Sequence, residues 1–266
     1  MSAFDPATDI RILREPTVYL TGRQTVDAAE VERFLADHGV SWQTDTEVAG
    51  EHLAEIAGRL CYLSFARPRP GGNKAYLDHI LQVGHGSVLE HAVWNFVFTG
   101  VSRSLTHELV RHRAGFGFSQ LSQRFVDESI AEYVEPDVIA NDPQAHAVWL
   151  DAIAGAHQAY MTLVAKLAEH YQEEPDRTLR RKLARQAARS VLPNATETKI
   201  FVTANARALR HFIEMRASRH AEVEIRKLAV QVLRIMQAEA PNLFGDYQLT
   251  ALPDGTFEAT TPHRKV

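Results

Sequence analysis

Three cations stand side by side at Arg111-His112-Arg113. A short run, Ala114-Gly115-Phe116-Gly117-Phe118, separates them from Ser119-Gln120-Leu121-Ser122-Gln123-Arg124. Arginine grips phosphate or carboxylate as a bidentate fork, and serine and glutamine add short polar arms. Glycine lets backbone N–H groups come close to an anion. The plainer reading of the triplet is a helix end whose cations complement the dipole. The glycine-aromatic loop and the polar run behind it favour anion recognition instead.

Other polar residues gather at segment junctions, where binding sites form. Arg103, His107 and Arg111 are each four apart and would share one helical face, as would Arg181, Arg185 and Arg189. Arg189 stands before the Val191-Leu192-Pro193 break and is the member of that stripe best placed for a ligand. Asn205-Ala206-Arg207 reads as a polar helix start, able to present N–H groups to an anion, with Arg216 and Ser218 further along the same helix. His85 and His91 flank Glu90, but the spacing is not His-Glu-x-x-His and no third ligand is evident, so no metal is expected. Gly115-Phe116-Gly117 lacks the third glycine of a dinucleotide fingerprint and follows no strand. No Gly-x-Ser-x-Gly elbow surrounds Ser119 or Ser122. Cys61, the only cysteine, reads as a small packed side chain of a helix. Residue types and spacing therefore reach a nucleotide-handling protein of mixed helix and strand.

Composition bounds that reading. With 266 residues, 45% of them hydrophobic and 23% charged, the chain can bury a full core as a single domain. A net charge of −4 argues against a general nucleic-acid binder. An arginine-rich nucleic-acid-binding protein is the non-enzymatic alternative. A lone cysteine allows no intrachain disulfide and fits a reducing compartment. Met1-Ser2-Ala3-Phe4-Asp5 lacks the pattern of a signal peptide, and no apolar run is long enough to span a membrane. A cytoplasmic protein is expected.

The elements that must position these residues follow in chain order. Thr17–Leu20 predicts a strand closed by Gly22, and residues 26–38 a helix capped by Thr25. A second helix should start near Asp45 or Thr46 and bury Val48, Leu53, Ile56, Leu60 and Leu63. After a loop at 68–72, Asn73 would cap a helix reaching about Gly84. Ala92–Thr99, with Trp94, Phe96 and Phe98, predicts a strand broken by Gly100, and Ser102 the cap of the helix carrying Arg103 to Arg111. The chain should be irregular up to Asn141. Asp142-Pro143 starts a helix to about Tyr171, with Tyr160, Leu163, Val164, Leu167 and Tyr171 on its apolar side. Pro175 opens the next helix. A strand at Thr198–Thr203 precedes the Asn205 helix. A later helix buries Ile225, Leu228, Val232, Leu233 and Met236. The end reads as a hairpin around Pro253-Asp254-Gly255 with a frayed tail.

The arginine triplet with its spaced serine resembles the signature of the flavin-dependent thymidylate synthases. The likeness extends to His85-Gly86-Ser87-Val88-Leu89-Glu90-His91, to Ser102-Arg103-Ser104 with Thr106-His107-Glu108, to Arg185-Gln186-Ala187-Ala188-Arg189 with Val191–Thr198, and to Arg216-Ala217-Ser218 with His220-Ala221-Glu222. Residues 45 to 250 look like the actinobacterial branch. The resemblance implies an α+β fold, a twisted and mainly antiparallel sheet with long helices around it. It implies one domain over 1–266, with the first 15 residues or so and the C-terminal tail peripheral. The activity implied is reductive C5 methylation of dUMP to dTMP by a methyltransferase. Tightly bound FAD is the cofactor, and NADPH and 5,10-methylene-tetrahydrofolate are co-substrates. The same likeness implies a homotetramer with sites shared between subunits.

By that resemblance Arg216 is catalytic, facing the pyrimidine N3 and O4 region and stabilising the charge that develops as C5 attacks. The nucleotide would meet Glu108, Leu109, Val110, Arg111, Gln120, Leu121, Ser122, Gln123, Arg124, Arg189 and Arg216. FAD would meet Ser87, Arg111, His112, Arg113, Gln120, Asn205, Ala206, Arg207 and His211. The chain departs from the pattern in one place. Eight residues, not seven, separate Arg113 from Ser122, and Phe125 stands where a tyrosine is usual. One added residue can shift a loop by up to about 3.3 Å. UMP, as in nucleoside antibiotic synthesis, is thus an alternative substrate to dUMP, and neutral drift of a tolerant loop is the plainer explanation.

Overall fold

The computed structural model describes residues 3–5, 10–67, 70–126 and 128–265. Pro68 and Arg69 of the expected loop, Met1 and Ser2 of the N-terminus, and Val266 of the tail lie outside the described residues. The chain begins with β1 (Ala3–Asp5), β2 (Ile10–Leu13) and β3 (Thr17–Arg23), then α1 (Ala28–Asp37), α2 (Ala49–Tyr62) and α3 (Gly72–Gln82). A 3-10 turn at Gly86–His91 leads to β4 (Val93–Ser102), α4 (Arg103–Leu109) and β5 (Phe116–Gln120). After a second such turn come β6 (Glu132–Val134), α5 (Asp137–Ala140), the long α6 (Pro143–His170) and α7 (Arg177–Ala188). The chain closes with β7 (Glu197–Asn205), α8 (Ala206–Arg216), α9 (Val223–Glu239), α10 (Pro241–Phe244), β8 (Gln248–Ala251) and β9 (Phe257–Thr260). The mixture of helix and sheet is that of an α+β protein.

These elements form two compact units. The first gathers the chain up to Thr17, Phe98–Arg111 and Ser119–Ile200; the second gathers Val18–Val97, His112–Phe118 and the chain from Phe201 onward. In the first, β2 pairs antiparallel with β1 and parallel with β6. Ile10, Ile12, Ala131, Tyr133 and Ile153 form a core cluster there beneath Trp149 and Leu150. In the second, Trp94 and Phe96 of β4, Leu209 and Phe212 of α8, and Leu228, Leu233 and Met236 of α9 are buried. A four-stranded sheet runs in the order β3-β4-β7-β5. Asn205 donates to the Gly115 carbonyl at 3.1 Å and Leu121 to that of Lys199 at 2.9 Å, so β5 and β7 run antiparallel. Strand β7 alternates, burying Thr198, Ile200, Val202 and Ala204 while Lys199 and Phe201 face out.

Several element boundaries obey the expected capping chemistry. Ser102 accepts from Leu105 N–H, Asp142 from Gln144 and Ala145, and Asn205 from Ala208. Others are corrected. Asp27, not Thr25, caps α1, and Asp176 after Pro175 caps α7. Asn73 lies inside α3, and its N–H is taken by Asp45 at 2.7 Å. Gly22 and Gly100 do not break strands but sit within them, each where another group comes close. A Cβ at 22 would lie 2.5 Å from Asn95 Oδ1, and one at 100, where φ is +66°, would lie 2.7 Å from the Glu15 carbonyl oxygen. The stretch before Asn141 is not irregular but holds β6 and α5. Of the expected apolar side of α6, Tyr160 is fully buried while Leu163, Val164, Leu167 and Tyr171 are half-buried.

The largest reversal is α2. Leu60 and Leu63, expected in the core, are 48% and 72% exposed, and Cys61 is exposed as well. The buried face carries Glu51, Glu55 and Arg59. Arg59 donates to Glu55 at 2.8 Å and to the Ser64 carbonyl at 3.1 Å, and lies over the rings of Tyr76 and Trp42. Glu55 accepts from Asn73 and Thr44, and Glu51 accepts from Thr46 and Asn242. A pair this buried is costly to break because the survivor is left charged and dry. Arg59→Met should therefore lower unfolding stability by about 3–5 kcal/mol. Leu60→Ser should stay within about 0.5 kcal/mol of the parent. Urea denaturation at matched protein concentration checks this; the reverse order would return α2 to its apolar face.

Candidate functional site

In the second unit the site is built around the turn that follows the arginine triplet. Helix α4 ends at Leu109, so Arg111 lies beyond the face it was expected to share with Arg103 and His107. The stretch expected as a loop is short, because β5 already begins at Phe116. Gly115 holds a φ of +73°, and a Cβ there would meet Asn205 Nδ2 at 2.7 Å and Ala208 Cβ at 2.8 Å. A glycine is needed for both the backbone angle and the approach. The triplet's turn is thus docked on the start of α8.

That docking brings His112 over α8. Arg216 Nε, at the helix end, donates to His112 Nε2 at 3.0 Å. The imidazole also meets the rings of His211 at 5.7 Å, Phe212 at 5.4 Å and Phe116 at 6.0 Å, and Phe116 stacks on Phe118. Accepting from a guanidinium requires Nε2 to be unprotonated, so the proton of the neutral ring sits on Nδ1. Burial pushes the His112 pKa down to about 4, and the Arg216 charge and His211 push the same way. The ring is a neutral acceptor that fixes the direction of the guanidinium.

The expected cofactor residues Ser87, His112, Arg113, Asn205, Ala206, Arg207 and His211 fall in this unit; Arg111 and Gln120 fall in the first. Ser87, Arg113, Arg207 and His211 are exposed. Arg207 pairs with Glu90 at 2.6 Å, both side chains being nearly half exposed. Such a surface pair is worth only about 0–1 kcal/mol and exchanges readily for a diphosphate. The start of α8 offers less than its sequence suggested. Ala206 is buried with its N–H on the Ala92 carbonyl, and the Ala208 N–H is taken by Asn205. Hydroxyl, imidazole and guanidinium groups are therefore what this stretch can offer an anionic ligand.

In the first unit, Gln120 donates to Thr106 and Thr198 at 3.1 and 3.3 Å. Leu121 gives its carbonyl to Arg103 at 2.9 Å, and Ser122 Oγ accepts from the Arg124 N–H. The Arg124 guanidinium and Lys182 lie over the Phe125 ring, and Arg185 donates to the Phe125 carbonyl at 2.9 Å. Glu108, Arg189 and Ser122 are half-buried, Val110 and Arg111 are exposed, and Leu109 is buried, so it can serve only through its backbone.

Gln123 is buried, and neither its Nε2 nor Arg103 Nε has a hydrogen-bond partner. Burial disfavours the Arg103 charge, Glu128 and Glu197 restore part of it, and nearby Arg189 disfavours it further. Orphaned buried donors beside crowded cations are the complement of an anionic, acceptor-rich ligand. Arg103 was expected on a basic helical face but not among the nucleotide contacts. Its signal was its place directly after the helix cap Ser102. Among the described residues, no group of three His, Cys, Asp or Glu side chains could hold a metal ion, and no helix is long and apolar enough to cross a membrane.

A family model described as thymidylate synthase complementing protein matches residues 44–242. A flavin-dependent thymidylate synthase of Mycolicibacterium gilvum is 53% identical over 231 residues, covering 86% of this chain and 92% of that one. Proteins of the same name from Mycobacterium tuberculosis and Mycobacteroides abscessus are 52% and 51% identical over equal spans.

The His112 geometry generates a titration. Nitrogen NMR should find a neutral ring with its proton on Nδ1 down to about pH 4. The unfolded ring titrates near 6.5, so between about 4 and 6.5 the unfolded chain binds more protons, and this group's contribution to stability is lost as pH falls through that window. A midpoint at or above 6.5 would contradict the arrangement.

Proposed function

Because the chain belongs to the thymidylate synthase complementing protein family, whose members in mycobacteria are named flavin-dependent thymidylate synthases, we propose that it methylates dUMP at C5 to give dTMP. The observation that carries this reading is the Arg216 guanidinium held by neutral His112. Uracil C5 is a weak nucleophile, and its attack on a one-carbon donor pushes negative charge toward O4 and N3. A guanidinium fixed in advance stabilises that charge without reorganising, which is where electrostatic catalysis gains most. The only cysteine, Cys61, is exposed on α2 and is given no part in this chemistry.

Substrate phosphate and base would draw on the donor-rich cluster of the first unit: Arg111, Gln120, Ser122, Gln123, Arg124 and Arg189, with Arg103 added. Glu108 would accept from the nucleotide. FAD would lie against Ser87, His112, Arg113, Asn205, Arg207 and His211. When bound and reduced, it supplies the hydride that completes the methyl group. NADPH as reductant, methylene-tetrahydrofolate as carbon donor, the family's twisted antiparallel sheet, a single catalytic domain, and a cytoplasmic homotetramer with shared sites complete the proposal.

UMP gains no support as substrate. The Gly115 turn packs on Asn205 and Ala208, whereas Gln120 is held by Thr106 and Thr198 and the Phe125 carbonyl by Arg185. Protein supplied with FAD, NADPH and methylene-tetrahydrofolate, and with dUMP or UMP, should yield a methylated product by mass spectrometry from dUMP. Arg216→Ala should lower kcat by roughly a hundred- to a thousandfold with flavin absorbance retained. Product from UMP alone, or full activity in Arg216→Ala, would overturn the reading.

A further inference from the structure

Helix α8 has a second side that the reaction does not use. Arg210, Glu214 and Ala217 are spaced i, i+4 and i+7, so they form one stripe, turned away from the His211–Phe212 side that meets His112. The C-terminal segment grips each of the three. Arg210 is 2% exposed, and its two terminal nitrogens reach Asp246 at 2.7 and 2.8 Å. Tyr247 returns a hydrogen bond to the Arg210 carbonyl at 3.0 Å and lays its ring against the guanidinium. Glu214 accepts from Arg264 and from the Lys265 N–H at 3.1 and 2.9 Å. Beyond the helix end, the Ala217 carbonyl accepts from the Ala259 N–H of β9 at 2.8 Å. This last bond lies one residue past Arg216.

We propose that the C-terminal hairpin is a positioning device for Arg216, with Asp246 and Tyr247 as positioning residues that fix the roll and height of the last turn of α8. A helix terminus normally frays because its last carbonyls lack intrahelical donors. Here the first carbonyl past Arg216 is tied into a β strand, and about two turns earlier a buried bidentate ion pair locks the helix against rotation. Between those two points the Arg216 side chain has a fixed base from which to reach His112. The hairpin lies past the 44–242 span matched by the family model, so the grip is built from residues outside that span. The proposal rests on the reading in which Arg216 polarises the substrate.

The test reads Arg216 through its neighbour. In full-length Asp246→Asn and Tyr247→Phe variants, the His112 midpoint should rise above about 4, because a displaced guanidinium no longer repels its proton, while burial, the larger cause of the depression, keeps it below 6.5. Kcat on dUMP should fall roughly ten- to a hundredfold, with KM and flavin content near the parent's, and Asp246→Glu should recover part of both changes. A role confined to stability would lower Tm and leave the His112 midpoint where it was. An unmoved midpoint in the folded variants overturns the proposal; if Asp246→Asn does not fold, Tyr247→Phe decides alone. The titration needs no substrate. An unmodified protein inactive on dUMP would therefore remove the assigned reaction and leave the positioning result readable.

Discussion

The hydrogen bond from Arg216 Nε to His112 Nε2 is the constraint on which the second unit's site depends. It requires a neutral imidazole, and burial beside Phe212 and Phe116 supplies that condition. It also requires the triplet's turn to lie against α8, which Gly115 allows by presenting no side chain to Asn205 and Ala208. An arginine so held is oriented before any substrate arrives. That ring helps hold a charged guanidinium in a set direction.

The arginines divide by what surrounds them. Arg59 and Arg210 are each 2% exposed, and each meets a carboxylate, a backbone carbonyl and an aromatic ring, although the Arg210 Nε itself has no hydrogen-bond partner. Such groups hold segments together, because removing either partner strands a buried charge. Arg103 also has an unpartnered Nε and feels Glu128, Glu197 and Arg189, and Gln123 Nε2 of the same unit is unpartnered too.

Much of this was legible in the residues. Ser102, Asp142 and Asn205 announce their helices because a side-chain oxygen before an apolar period has a local job, satisfying N–H groups two or three residues on. The buried stripe of α9 is equally local. What failed depends on residues remote in sequence. The leucines of α2 suggested a core face, but Glu55 and Arg59 are buried by Asn73, Thr44, Tyr76 and Trp42, none of which can be read from the helix itself. Gly22 and Gly100 read as breakers, yet each yields space to a chain segment far away, Asn95 in one case and Glu15 in the other. The triplet drew attention to His112, while the neutral state of that ring and the unpartnered Arg103 Nε emerged only once burial was known.

The most direct measurement is a double-mutant cycle on kcat with dUMP, combining Arg216→Lys and His112→Phe. Residues in contact couple by roughly 0.5–3 kcal/mol. If His112 acts by aiming Arg216, the two losses will be far less than additive: once the ring is gone, replacing the guanidinium should cost about 1 kcal/mol or more less than it does in the parent. Fully additive losses would mean that the two residues act independently, and the oriented guanidinium would not be the basis of the chemistry.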